Sequence, residues 1–163
     1  MKEIVVYHGG TDIIENPICK FGRENLDFGQ GFYITDLREQ AVIWAGNMAK
    51  ARNKSAILNR YKLNKSAILD EYKYKIFKAY DKEWFEFIIG NRIGLELFKR
   101  YDYIEGGIAN DRVIDTINLY IAGLIDFNFA LRELSKHSPN NQMCILNQDI
   151  VNKHLIFDGT EQL

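Results

Sequence analysis

A chain of 163 residues, 47% of them hydrophobic and 26% charged, is long enough to bury a core and fits one domain, 1–163. Its 21 basic and 22 acidic residues leave a net charge of −1, which excludes a field strong enough to hold nucleic acid by charge alone. No apolar run approaches the roughly 20 residues of a membrane span, and "MKEIVVYHGG" turns polar before a signal-peptide core is complete, so the expectation is a cytoplasmic protein with no membrane partner.

Ile4–Tyr7 reads as a strand ending at His8-Gly9-Gly10. Thr11–Asp27, with Pro17 and Gly22, reads as irregular or briefly helical. Gly31–Thr35 is a second strand. Asp36 with Glu39 three residues later has the pattern of a capping box, opening a helix with Ala41, Ile43, Trp44, Met48 and Ala51 roughly on one face. The hexapeptide Asn-Lys-Ser-Ala-Ile-Leu occurs at Asn53 and again at Asn64, and is expected to lead two successive strands, Ala56–Leu63 and Ala67–Tyr74. Trp84, Phe85, Ile88, Ile89, Ile93, Leu97 and Phe98 make Tyr80–Tyr101 a long helix, with a break near Gly90 or Gly94. Tyr103–Ala109 is a strand carrying Gly106-Gly107. Asp111 or Asn110 caps the helix Arg112–Ala122, and Gly123 stops it. Phe127–Lys136 is a further helix. Gln142–Leu146 is a strand, followed by a short helix and a closing strand, His154–Phe157. This order lacks the regular alternation of a doubly wound sheet, so the expected class is α+β with strands in two small sheets. Trp44 and Trp84 are expected in the core, and Cys19 and Cys144, with no C-x-x-C, as reduced packing thiols.

Most standard site motifs are missing. There is no G-x-x-x-x-G-K, H-E-x-x-H or G-x-S-x-G, and Ile34 stands where the dinucleotide fingerprint of Gly29-Gln30-Gly31 needs its third glycine. His8, His137 and His154 show no metal spacing, so no metal is expected. Three separated spots remain: His8-Gly9, the segment "DFGQGFYIT" with Tyr33, and the strand opened by Gln142.

Together these spots resemble the ADP-ribosyltransferase superfamily in its H-Y-E branch, which includes the poly-ADP-ribose polymerases and diphtheria-type toxins. "YHGG" is similar to the branch's His-Gly strand end, "FGQGFYIT" to its Gly-x-Gly-aromatic-Tyr strand, and "NNQMCILNQDIVNKHLIF" to its late strand, with Gln142 where the family usually has Glu. The wider spread of "YHGG…P…GR…DFGQGFYIT…QA…WA" and "GGIANDRVIDTINLYIAG" resembles more narrowly a bacterial group, domain of unknown function 3990. The resemblance implies a split β-sheet core with surrounding helices, NAD as co-substrate, and transfer of ADP-ribose to a macromolecular acceptor, protein or nucleic acid. It implies His8, Tyr33 and Gln142 as catalytic residues and His8, Gly9, Gly31, Tyr33 and Arg23 as NAD-binding ones. By analogy it also implies a toxin-like role, controlled by a small neutralising antitoxin protein.

The chemistry agrees with these residue types. Breaking the nicotinamide–ribose bond creates an oxocarbenium-like sugar, as glycoside hydrolysis does. Gly9 lets backbone approach an amide, His8 can bond a ribose hydroxyl, and Tyr33 offers a flat face for the leaving ring. Gln142 keeps the hydrogen bond of the usual Glu without its charge; Glu105 and Asp111 are candidates for a substitute carboxylate. A rival reading takes Gln142 as the mark of a decayed site and the protein as a module binding NAD, ADP-ribose or a protein. A nuclease-type toxin is a third class, and the lack of a paired-histidine or metal constellation speaks against it. The basic cluster Lys50, Arg52, Lys54, Arg60, Lys62 and Lys65, with Lys73, Lys75 and Lys78, is where a nucleic-acid acceptor would make phosphate contacts.

Overall fold

Alternating burial along the strands sets the architecture. In β3 (Ile57–Leu63) Tyr61 and Leu63 are buried while Arg60 and Lys62 face out. β1 (Ile4–Gly10) pairs antiparallel with β3, and β3 with β7 (Leu155–Gln162), giving one sheet in the order β1-β3-β7. The second sheet runs β2-β6-β5-β4, built from β2 (Phe32–Ile34), β4 (Tyr74–Ile76), β5 (Tyr103–Gly106) and β6 (Gln142–Ile145), with only the β4–β5 pair parallel. The computed structural model describes residues 3–22, 26–108, 111–136 and 140–163, and among them the fold is α+β with two sheets and six α-helices.

The helices are α1 (Arg38–Arg52), α2 (Lys65–Glu71), α3 (Lys82–Arg92), α4 (Asp111–Ile121), α5 (Phe127–Leu134) and α6 (Gln148–His154). The second sheet lies between two cores. Phe32, Ile34, Tyr103, Met143 and Ile145 join Val6, Tyr61 and Leu63 of the first sheet. Phe28, Ile104 and Cys144 join Trp84, Phe85 and Ile88 of α3 and Val113, Ile117 and Leu134 of α4 and α5. Burial on both faces explains why "QMCI" is an unbroken run without polar alternation after its first residue. No helix among the described residues is long and apolar enough to cross a membrane.

Several expectations need correction. The second Asn-Lys-Ser-Ala-Ile-Leu is not a strand but helix α2, because the Asn64 side chain accepts from the Ala67 amide and Ile68 is buried in the first core. Asp36 does not cap α1. Thr35 Oγ1 accepts from the Leu37 amide instead, at 3.1 Å, and Asp36 accepts from Asn141. The aromatic segment is shorter at its start than expected, α3 beginning at Lys82, but it breaks where expected, α3 ending at Arg92 before Gly94, whose φ is +89°, with a separate short 3-10 helix at Leu97–Arg100. β1 and β7 run further than expected, to Gly10 and Gln162. Trp84 is fully buried, but Trp44 is only half-buried and belongs to neither core.

Candidate functional site

The two sheets meet at an isolated bridge. The Tyr7 amide donates to the Thr35 carbonyl at 2.8 Å, and the Thr35 amide to the Tyr7 carbonyl at 3.0 Å. Beyond it β1 and β2 part. Backbone groups alternate in direction along a strand, so Gly9, two residues past Tyr7, turns its N–H and C=O to the same edge, toward β2. No backbone group of β2 bonds them among the described residues. His8 fills part of the gap: its Nδ1–H donates to the Tyr33 carbonyl at 2.7 Å, and its ring stacks on Phe32 at 4.6 Å. A carbonyl only accepts, so Nδ1 carries the proton, and in the neutral ring Nε2 is an acceptor. Burial lowers the His8 pKa, opposed by the bond to Tyr33, so the ring is neutral at pH 7.

The glycines turn out to have packing reasons. A Cβ on Gly9 would lie 2.0 Å from the Ala41 carbonyl oxygen, because α1 crosses β1 with only small residues, Ala41 and Ala45, between them. Gly29 has φ +88° and holds the Phe98 ring where a Cβ would be. A Cβ on Gly31 would lie 2.6 Å from Cys144 Sγ and 2.7 Å from the Ile145 carbonyl. The paired glycines of "DFGQGFYIT" thus make room for Phe98 and for β6.

Tyr33 opposes Cys144 across β2 and β6. Its hydroxyl donates to the Gly29 carbonyl at 2.6 Å and accepts from the Phe28 amide at 3.1 Å, which ties the strand to the turn before it. That turn is anchored in its own right: Arg92 Nη2 pairs with Asp27 at 2.6 Å, and Asn91 donates to the Asp27 carbonyl at 2.8 Å. Burial first, then the neighbouring Cys144, holds the Tyr33 pKa well above its usual value. Its hydroxyl therefore stays protonated.

Gln142 is 6% exposed at the head of β6, and its side chain makes no hydrogen bond among the described residues. It shares a sheet face with Cys144, and so with Tyr33. The carbonyl of the preceding residue, Asn141, accepts from Thr35 Oγ1 at 2.8 Å and from Gln40 Nε2 at 2.6 Å. Glu105 does not stand beside Gln142. It lies one residue before Gly106, the partner of Gln142, and so on the other face, where Lys65 pairs with it at 2.7 Å and the Tyr103 hydroxyl donates to it at 2.6 Å. Arg23 and the side chain of Asp111 lie outside the described residues.

The structure thus sets the three motif strands side by side, in the order β1, β2, β6, with Gly9, His8 and Tyr33 where β1 and β2 part and Gln142 at the head of the neighbouring strand. It does not put all their rings on one face, since His8 lies against Phe32 of the first core and Tyr33 packs on the second. A surface hollow elsewhere is lined by Asn128, Leu131, Arg132 and Ser135 of α5 and its end, and by none of these residues. Gln40 is the residue the sequence pattern passed over; two positions inside α1, it carried no signal of burial. Residues 4–157 match the model of a family described as Protein of unknown function (DUF3990). No curated protein and no solved structure matches the chain.

Proposed function

The chain belongs to the DUF3990 family, and we propose that it is a mono-ADP-ribosyltransferase of the H-Y-E type that consumes NAD. The observation that carries this reading is the parting of β1 and β2 beyond the Tyr7–Thr35 bridge, where the Gly9 N–H and C=O, unbonded among the described residues, adjoin a neutral His8. A donor and an acceptor on one strand edge complement a primary amide such as the carboxamide of nicotinamide. His8 Nε2 accepts from a ribose hydroxyl. The Tyr33 ring supplies a wall for the pyridine, and the Gln142 carbonyl oxygen offers partial negative charge to the ribose.

In the reaction the C–N bond between ribose and nicotinamide breaks. Nicotinamide leaves with the bonding electrons, the ribosyl cation is captured by an acceptor nucleophile, and that nucleophile gives up its proton to solvent. Gln142 lacks the full charge of a carboxylate; a missing preorganised electrostatic group costs about a hundredfold in rate. Slow turnover, or an acceptor that is itself activated, follows. By the same resemblance the acceptor is a cellular macromolecule and a small neutralising protein is the regulator.

The test is nicotinamide release from NAD, and label transfer from NAD into lysate, by the wild type, Tyr33→Ala and Gln142→Glu. The expected result is slow release by the wild type, loss in Tyr33→Ala and a gain in Gln142→Glu. The reading fails if neither the wild type nor Gln142→Glu releases nicotinamide and NAD leaves the melting temperature unchanged. The neutrality of Gln142 favours a second reading, a module that binds without turnover; a thermal shift by NAD with no release in either protein would select it.

A further inference from the structure

Two nearly buried carboxamides at the head of β6 have complementary unused groups. Gln40 is 8% exposed, and its Oε1 is fully enclosed without a donor among the described residues. Its orientation is fixed by chemistry: Nε2 lies 2.6 Å from the Asn141 carbonyl and 3.2 Å from Thr35 Oγ1, and exchanging N for O would press two acceptors together at 2.6 Å. Gln142, 6% exposed, has an unbonded side-chain amide among the described residues. Alternation along β2 puts the Thr35 side chain on the Tyr33 face, and Gln40 reaches that side chain. Ile34 opposes Met143, so Thr35 comes level with Gln142 on that same face. An enclosed acceptor without a donor needs an explanation, and an amide donor stands at the adjoining residue.

We propose that Gln40 is a positioning residue for Gln142: Gln40 Oε1 accepts from the Gln142 side-chain NH2 and so turns the Gln142 oxygen toward the ligand. The functional half rests on the transferase reading above. A glutamine can present either end of its amide to a developing sugar cation, and the NH2 end would oppose the charge. A carboxylate has no such ambiguity. A site that uses Gln in place of Glu therefore needs a neighbour that takes up the NH2, and Gln40 supplies the acceptor.

The first experiment needs no turnover. Exchange of the Gln142 side-chain NH2 protons with solvent is followed by NMR in the wild-type protein, the signals being those that vanish in Gln142→Glu. Pairing predicts exchange at least about tenfold slower than for a free amide, consistent with one hydrogen bond. Exchange at the free rate overturns the proposal. Gln40→Lys keeps a donor for the Asn141 carbonyl and for Thr35 but has no acceptor, and it should restore fast exchange. In the nicotinamide-release assay Gln40→Lys should lower kcat about tenfold with little change in KM. Adding Gln142→Glu should recover the loss, since the new ammonium and carboxylate pair with each other. A Gln40→Lys loss of the same size in the Gln142→Glu background as in the wild type would mean that Gln40 only supports the fold, and would also overturn the proposal. If the amide is protected but the wild type neither binds nor cleaves NAD, the pairing stands and the transferase reading is what fails.

Discussion

Gly9→Ala tests whether α1 really seats on β1 without room for a methyl group. The added Cβ would come within 2.0 Å of the Ala41 carbonyl oxygen and 2.9 Å of the Ala45 amide nitrogen. Ordinary contact between heavy atoms lies near about 3.5 Å, so α1 or β1 must retreat by more than an ångström. Both neighbours are backbone, and no side chain can swing aside to relieve the clash. Overpacking of this kind costs about 1–3 kcal/mol, and two backbone elements in register place it at the upper end. At about 2–4 °C per kcal/mol for a domain of this size, the melting temperature should fall by about 6–12 °C. Gly46→Ala, in the same helix, is the matched control. Nothing lies within 4 Å of its added Cβ, and alanine is favoured over glycine in a helix by about 1 kcal/mol, so its melting temperature should rise by about 2–4 °C. Differential scanning calorimetry of the three proteins decides the matter. A Gly9→Ala protein as stable as wild type would refute the close seat of α1, and the packing account of Gly9 with it.

Burial holds His8 below its ordinary value of 6.5, so the unfolded chain binds that proton more readily than the folded one. Stability is therefore complete above about pH 6.5 and declines as pH falls through and below that value. His8→Gln, which retains a donor for the Tyr33 carbonyl, should flatten this acid-side decline; parallel melting profiles from pH 7 to pH 5 would contradict the assignment. Burial pushes the Cys19 thiol up to about 11 and the Cys144 thiol higher still. Neither should react with a thiol reagent at pH 8 until denaturant is added, and rapid labelling of the native protein would count against their placement. Arg92 and Asp27 pair at 2.6 Å with side chains 24% and 12% exposed, and the pair anchors the turn that holds Tyr33. Arg92→Leu should cost about 1.5–3 kcal/mol in urea denaturation, with an unchanged denaturant slope; no loss would show that Asn91 alone carries the anchor.

The parts of this fold that were legible from sequence are those written in short-range chemistry. Apolar runs bounded by glycine and asparagine marked β1, β2, β3 and β6, and Gly123 at φ +76° stops α4 where the pattern placed the stop. The repeated hexapeptide shows where such reasoning ends. In the first copy Asn53 follows a helix, takes φ 53° as its C-cap, and Ile57 and Leu58 enter β3. In the second copy Asn64 follows a strand, its side chain caps the amide of Ala67, and the same Ile-Leu pair, now Ile68 and Leu69, turns to the first core within α2. Six identical residues take two structures because their preceding element differs. The deciding information is whether the chain arrives as helix or as strand.

The candidate site is harder to read for the same reason. Its glycines suggested room for a ligand, yet Gly9, Gly29 and Gly31 answer to Ala41, Phe98 and Cys144, partners 32, 69 and 113 residues away by the sequence numbering. No local pattern carries those distances. What remains available for chemistry follows from how the sheets part: once Tyr7 spends its N–H and C=O on Thr35, and His8 takes the Tyr33 carbonyl, the Gly9 strand edge toward β2 has no backbone partner among the described residues. A free edge between two buried sheets is costly unless water or a ligand meets it. The opening would therefore be kept by what binds there, and a ligand that bonds both groups of Gly9 should protect its amide from hydrogen exchange. A Gly9 amide that exchanges slowly without any ligand would show instead that the edge is already closed by the protein.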